Sequence, residues 1–229
     1  MGFMNGLYKI LRGPVRLFWR VKAEGLENVP EGGCLLAANH TSFADPIVIS
    51  SVSPRKIRFM AKAELFRVPV LGRLIKGFGA FPVNRGGADV KSIKTTVSLI
   101  GSGEMVGIFP QGTRRPKVDP RETEIKGGVG MIAYHTKADV IPVMLVTKKR
   151  KTSLFRRTRV VFGKVIKYDE LGITGAGRDG YQRAAELIFS RICELETAAG
   201  ARESAVPPTR WKRRSSRAPA ARAYTPSAG

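Results

Sequence analysis

Cys34-Leu35-Leu36-Ala37-Ala38-Asn39-His40-Thr41-Ser42-Phe43-Ala44-Asp45-Pro46 is the stretch on which the fold turns. It opens with a short apolar run of strand length that leads straight into His40. A loop of four residues follows, and Asp45 then stands where it can cap a helix whose first position suits Pro46. An imidazole and a carboxylate thus meet at one turn, at the end of a strand, where ligand sites of α/β sheets gather. A carboxylate on one imidazole nitrogen fixes the tautomer and stabilises the imidazolium, which makes the pair a general base for a hydroxyl. A lone His and Asp at this spacing are more commonly structural, so the reading depends on what surrounds them.

Outward from that stretch, strand-like and helix-like pieces alternate. Lys56 to Met60, Ala80 to Val83, Met105 to Phe109, Val140 to Val146 and Val160 to Phe162 are strand-like. Pro46 to Val52, Pro69 to Lys76, Ala88 to Ile100, Val129 to His135 and a last segment marked by Tyr181, Ala184, Ile188, Ile192 and Leu195 are helical. The alternation predicts an α/β fold, a mixed, largely parallel sheet flanked by helices. Three regions are expected: 1–20, 21–200 and 201–229.

In the first region Phe3, Met4, Leu7, Ile10 and Leu11 fall at helical spacing, and Val15, Phe18 and Trp19 resume the stripe after Gly13-Pro14. Lys9, Arg12, Arg16 and Arg20 recur beside it, with no acid before Glu24. This predicts amphipathic helices lying in a membrane interface. The last region, rich in Ala, Pro, Ser and Arg, cannot bury enough apolar surface to order itself and is expected to be a basic disordered tail.

Lys and Arg total 40 against 18 acids, a net charge of +22, which favours anionic partners. No nucleic-acid module or stacking motif accompanies the charge, so no specific nucleic-acid binding is expected. No apolar run reaches spanning length, and no cleavable leader is recognisable, so a peripheral protein on the cytoplasmic face of a membrane is expected. Cys34 and Cys193 lie far apart outside any metal-ligand spacing, and there are only two His, so no metal site is expected.

Three further blocks carry chemistry: Gly79-Ala80-Phe81-Pro82-Val83-Asn84-Arg85, Phe109-Pro110-Gln111-Gly112-Thr113-Arg114 and Val140-Ile141-Pro142-Val143. Arg offers a planar fork for phosphate oxygens, and a Gly turn lets backbone N–H groups approach an anion. With Asn39-His40 to Asp45, these four blocks in this order resemble the glycerolipid acyltransferase family, specifically 1-acylglycerol-3-phosphate acyltransferases, over roughly Val21 to Val165.

The resemblance implies that His40 deprotonates the acceptor hydroxyl, with Asp45 orienting it. It also implies that Arg85 and Lys62 bind the acceptor phosphate, that Gly112, Thr113 and Arg114 hold its glycerol phosphate part, and that Gln111 belongs to the same substrate-binding block, where it can serve an acceptor hydroxyl. Gln111 stands where the family usually has Glu; it keeps an acceptor oxygen, adds a donor and loses the charge. The role of Lys126-Gly127 stays open between binding and structure. The implied partners are lysophosphatidic acid, an anionic membrane surface, and acyl-CoA or acyl carrier protein as donor, with no cofactor. The acid-free stretch Val140 to Tyr168 suits the anionic donor. Another acceptor, glycerol 3-phosphate or a lysophospholipid, and a catalytically silent lipid-binding paralogue are the competing readings.

Overall fold

The computed structural model describes residues 12–83 and 90–205, with side chains through 197. Seven strands form one sheet: β1 (Val21–Glu24), β2 (Cys34–Ala38), β3 (Ile57–Lys62), β4 (Phe81–Val83), β5 (Met105–Ile108), β6 (Val140–Thr147) and β7 (Thr158–Phe162). Their order is β1-β7-β6-β2-β5-β3-β4, with every pairing parallel except β6 with β7. Helices α1 (12–18), α2 (Asp45–Val52), α3 (Pro69–Gly77), α4 (Val90–Gly101), α5 (Gly128–Thr136) and α6 (Arg178–Ala205) complete the chain.

β2 sits between β6 and β5 and is buried along its whole length, which explains its unbroken apolar sequence. Its side chains alternate between two cores. Leu35 and Ala37 join residues of α5 and α6, while Cys34, Leu36 and Ala38 join Val48, Ile49 and Val52 of α2. Leu35 and Leu36, both at 0% exposure, each contribute roughly 2 kcal/mol of burial. The connection β2-α2-β3 passes over β5, and β5-α5-β6 passes over β2. The carboxyl ends of β2, β5, β3 and β4 therefore stand side by side; the blocks at Asn39 and Phe109 issue from that edge, the Gly79 block runs through β4 towards it, and Val140-Ile141-Pro142-Val143 lies inside β6.

Three sequence expectations are revised. β1 has no counterpart among the expected strands; it is a four-residue edge strand holding Lys22 and Glu24, too short and polar to stand out. The basic stripe is not made of free cations throughout: Arg12 donates to Ser51 O at 2.9 Å and Ser53 O at 2.6 Å, and Arg16, though exposed, donates to Ser51 O at 2.8 Å. Both cations occupy the carboxyl end of α2, where carbonyls lack helical partners and the dipole favours positive charge. Helix α6 runs on to Ala205, past the expected start of the tail. Residues 1–11, on which most of the expected interface helix falls, and 206–229, which hold most of the tail, lie outside the described residues.

Candidate active site

The end of β2 is fastened before the site begins. Asn39, 1% exposed, continues the strand pairing with its side chain: Oδ1 accepts from Leu145 N–H at 2.8 Å and Nδ2 donates to Leu145 O at 3.3 Å. His40 is then held at both backbone atoms by the loop after β5. Its N–H donates to Gln111 Oε1 at 2.7 Å, and its carbonyl accepts from Arg115 N–H at 2.8 Å. The imidazole lies flat on Phe109, with centroids 4.0 Å apart and planes 16° apart, and Phe109 stacks in turn on Phe59 at 5.4 Å. Phe59 can lie there because residue 107 is glycine; a Cβ at that position would sit 2.4 Å from the Phe59 ring.

Asp45 is fully buried, and Oδ2 gathers three donors: His40 Nδ1 at 2.9 Å, Thr41 N–H at 2.6 Å and Ser42 N–H at 2.7 Å. Oδ1 accepts from the Thr41 hydroxyl at 3.3 Å. The expected helix cap is thus corrected. Ala44 is the capping residue, α2 has no side-chain cap, and the Asp45 carboxylate turns back into its own loop. An ionised carboxylate only accepts, so Nδ1 is the donor in this pair, and in a neutral imidazole Nε2 is then the acceptor. The imidazole retains 12% exposure, enough for a hydroxyl to reach it.

Gln111 is 2% exposed and fully engaged by the protein. While Oε1 holds His40 N–H, Nε2 donates to Thr123 Oγ1 at 2.8 Å. Thr123 spends its own proton on Pro120 O at 2.6 Å, so it can only accept from Gln111. The chain of donors runs one way, from His40 through Gln111 and Thr123 to the Pro120–Glu122 turn. A Glu at 111 would compete with Pro120 O for the Thr123 proton, so this hydroxyl is matched to the amide. Gln111, expected among the acceptor ligands, is placed under His40.

The other expected residues are less tightly held. Gly112 takes φ +65, a conformation that suits glycine, and turns the block back over the edge. Thr113 and Arg114 are exposed. The Arg114 guanidinium lies 3.3 Å from the centre of the Phe43 ring, and Phe43 is 61% exposed beside the His40 loop. Lys62 ends β3 and pairs with Glu64 at 3.0 Å, both side chains being exposed. Arg85 lies outside the described residues; Val83, in register with Lys62, is the last described residue before it. Thr41, Phe43, Thr123 and Thr152 entered no expectation. Thr41 and Phe43 lie inside the quoted stretch, while Thr123 and Thr152 offered no signal.

A family model described as Acyltransferase matches residues 20–146. The chain belongs to the acyltransferase family. This acyltransferase is 35% identical over 180 residues to the 1-acyl-sn-glycerol-3-phosphate acyltransferase of Bacillus subtilis (strain 168), covering 77% of this chain and 88% of that one. It is 28% identical over 200 residues to the protein of the same name from Streptococcus pneumoniae (strain ATCC BAA-255 / R6), covering 82% and 73%. Its fold matches the crystal structure of the 1-acyl-sn-glycerophosphate (LPA) acyltransferase PlsC from Thermotoga maritima. That match has a TM-score of 0.61 at 19% identity and covers 93% of this chain and 86% of that one. In this acyltransferase His40 and Asp45 are bonded to each other, and the mixed, largely parallel sheet expected from the alternation is observed.

Proposed function

We propose that this acyltransferase moves a fatty acyl group from a thioester donor, acyl-CoA or acyl carrier protein, to the free hydroxyl of 1-acylglycerol 3-phosphate, forming phosphatidic acid. The observation that carries the reading is the held imidazole: Nδ1 is committed to a buried carboxylate, which leaves Nε2 as the proton acceptor. The acceptor O–H gives its proton to Nε2 while its oxygen attacks the thioester carbon. The C–S bond then breaks, and the imidazolium returns the proton to the leaving thiolate. Asp45 stabilises the imidazolium and prevents ring rotation. The step is redox-neutral and calls for no resident cofactor. Arg114, with Arg85 and Lys62, would hold the acceptor phosphate, and the exposed Lys148, Lys149 and Lys151 suit the anionic donor.

The inward placement of Gln111 bears on the choice of acceptor. Its departure from the usual Glu faces His40 and Thr123, so it supplies no reason to look for a different acceptor. An acceptor of this kind resides in a bilayer, so the enzyme works on an anionic membrane surface, peripherally and from the cytoplasmic face. Among the described residues no helix is long and apolar enough to cross a membrane.

The test is acyl transfer by the purified chain in anionic vesicles, with lysophosphatidic acid, glycerol 3-phosphate and a lysophospholipid offered separately, and with both donors. Phosphatidic acid made from lysophosphatidic acid by the wild type and lost in His40→Ala is the expected result. Product from one of the other acceptors alone would overturn the choice of acceptor, and no product from any pair would overturn acyl transfer.

A further inference from the structure

The turn between β6 and β7 leaves two bulky apolar side chains in solvent, Leu154 at 51% and Phe155 at 70% exposure. They do not stand alone. Phe18, 45% exposed, meets Phe155 edge to face with centroids 5.8 Å apart, and Leu17 beside it is 75% exposed. Scattered single exposures need no explanation, but a cluster drawn from two distant segments does.

The backbone adds a second observation. Phe155 has φ +59, a region that strains bulky side chains, and its N–H donates to Phe18 O at 2.6 Å. Asn or Gly would fill this turn with less strain. The chain instead keeps a phenyl ring in a costly conformation and presents it to solvent, a combination that accompanies function.

Cations ring the tip. Arg20, Lys148, Lys149, Lys151, Arg156 and Arg157 are all exposed, and no acid occurs between Val140 and Tyr168. Apolar side chains within a basic ring match the acyl boundary and anionic headgroups of a lipid surface. The tip is also tied to the chemistry. Thr152 N–H donates to Thr41 Oγ1 at 3.2 Å, the two hydroxyls are 3.3 Å apart, and Thr41 adjoins His40.

We propose that Leu154 and Phe155, with Leu17 and Phe18, form an insertion tip that docks this enzyme on an anionic lipid surface. Through Thr152 and Thr41 the tip sets the depth of His40 relative to the headgroups. The proposal rests on the reading that the acceptor is a membrane lipid.

The experiment compares the full chain with Leu154→Ser/Phe155→Asn in co-sedimentation with vesicles of phosphatidylglycerol and phosphatidylcholine. Acyl transfer is measured in parallel with lysophosphatidic acid in vesicles and with a short-chain lysophosphatidic acid dissolved as monomer. The double variant is expected to partition roughly ten-fold or more weakly and to lose vesicle activity in step. Its turnover of the dissolved acceptor should stay within about two-fold of wild type, because chemistry at His40 is untouched. Its thermal midpoint should be no lower than wild type, since Asn relieves the strained turn. Phe155→Trp should retain binding and gain blue-shifted indole emission on vesicles, beyond any change in the wild type.

Unchanged partitioning in the double variant, or an indole that stays in water on vesicles in Phe155→Trp, overturns the tip. Equal losses on both acceptors overturn it too, because the turn would then act on chemistry. A wild type that binds vesicles through the tip yet acylates neither acceptor leaves the docking intact and removes the acyl-transfer reading.

Discussion

The His40 loop and the Leu154–Phe155 turn touch through Thr41 and Thr152, yet they treat solvent in opposite ways. In the first, Asp45 and Gln111 are almost wholly buried, and each spends its polar atoms on named partners. In the second, two of the largest apolar side chains are exposed, and the backbone is strained to keep one of them there. A group that must hold a proton at one atom needs a dry, fully bonded surround. A group that must meet a fluid surface needs reach and apolar area. The polypeptide builds both a few residues from the same sheet edge.

The sharpest way to break the dry half is to remove the proposed base or turn it. His40→Ala and Asp45→Asn should each lower kcat by about a thousand-fold or more, the second by presenting an amide to groups that need a carboxylate. Steady-state turnover on dissolved acceptor reads this without involving the membrane. Next is the support beneath His40. Thr123→Val leaves Gln111 Nε2 buried without an acceptor, which should cost about 1–3 kcal/mol of stability. It should also lower kcat by roughly ten-fold with KM nearly unchanged, because only orientation is lost. Denaturant midpoints and a kcat against KM split check both parts. Gln111→Glu should be milder, since a carboxylate still accepts from His40 N–H. An equal loss in Gln111→Glu would mean that the amide donor, and not the acceptor oxygen, is what matters.

Gly107→Ala reaches the same imidazole from the side. Its methyl would meet the Phe59 ring, which bears on Phe109 and so on His40. Overpacking of this kind costs about 1–3 kcal/mol, measurable in urea, with a smaller fall in kcat. The smallest effect concerns the thiols. Burial pushes both Cys34 and Cys193 from the ordinary 9.0 up to about 11. At pH 8 both should resist alkylation by iodoacetamide until the chain unfolds. Because the folded values are raised, the thiols' contribution to stability is complete below pH 9 and is lost as pH rises from 9.0 towards about 11. Fast alkylation of either thiol in the folded protein would show that the core around it is wetter than its 1% or 7% exposure indicates.

Much of the dry half was legible in the sequence, because its signals are local. An apolar run into His40, a short loop and an Asp-Pro helix start predict the strand, the turn and the pair from a dozen consecutive residues. What escaped depends on contacts far apart in the chain. Thr123 meets Gln111 only after the loop following β5 has folded over, and Thr152 meets Thr41 across more than a hundred residues. Nothing in the identity of a threonine announces either bond. Asp45 shows a subtler limit: Asp before Pro at a helix start reads as a cap, and competition with His40 and two loop amides redirects it. Arg12 and Arg16 show another limit, since a basic stripe reads the same whether or not its members also bond the end of a neighbouring helix.

The clasp of Arg12 and Arg16 gives α2 the character of a short lever. It is eight residues long, about 12 Å, with the Asp45 carboxylate that is bonded to His40 at one tip and two guanidinium handles at the other. Anything that pulls on the leading segment is transmitted through a rigid rod to the group that aims His40. Trimming the first twenty residues to ease purification would therefore be two operations at once, freeing the rod at its far end as well as removing apolar surface. An inactive product of such trimming would say as much about a loosened lever as about a lost foothold.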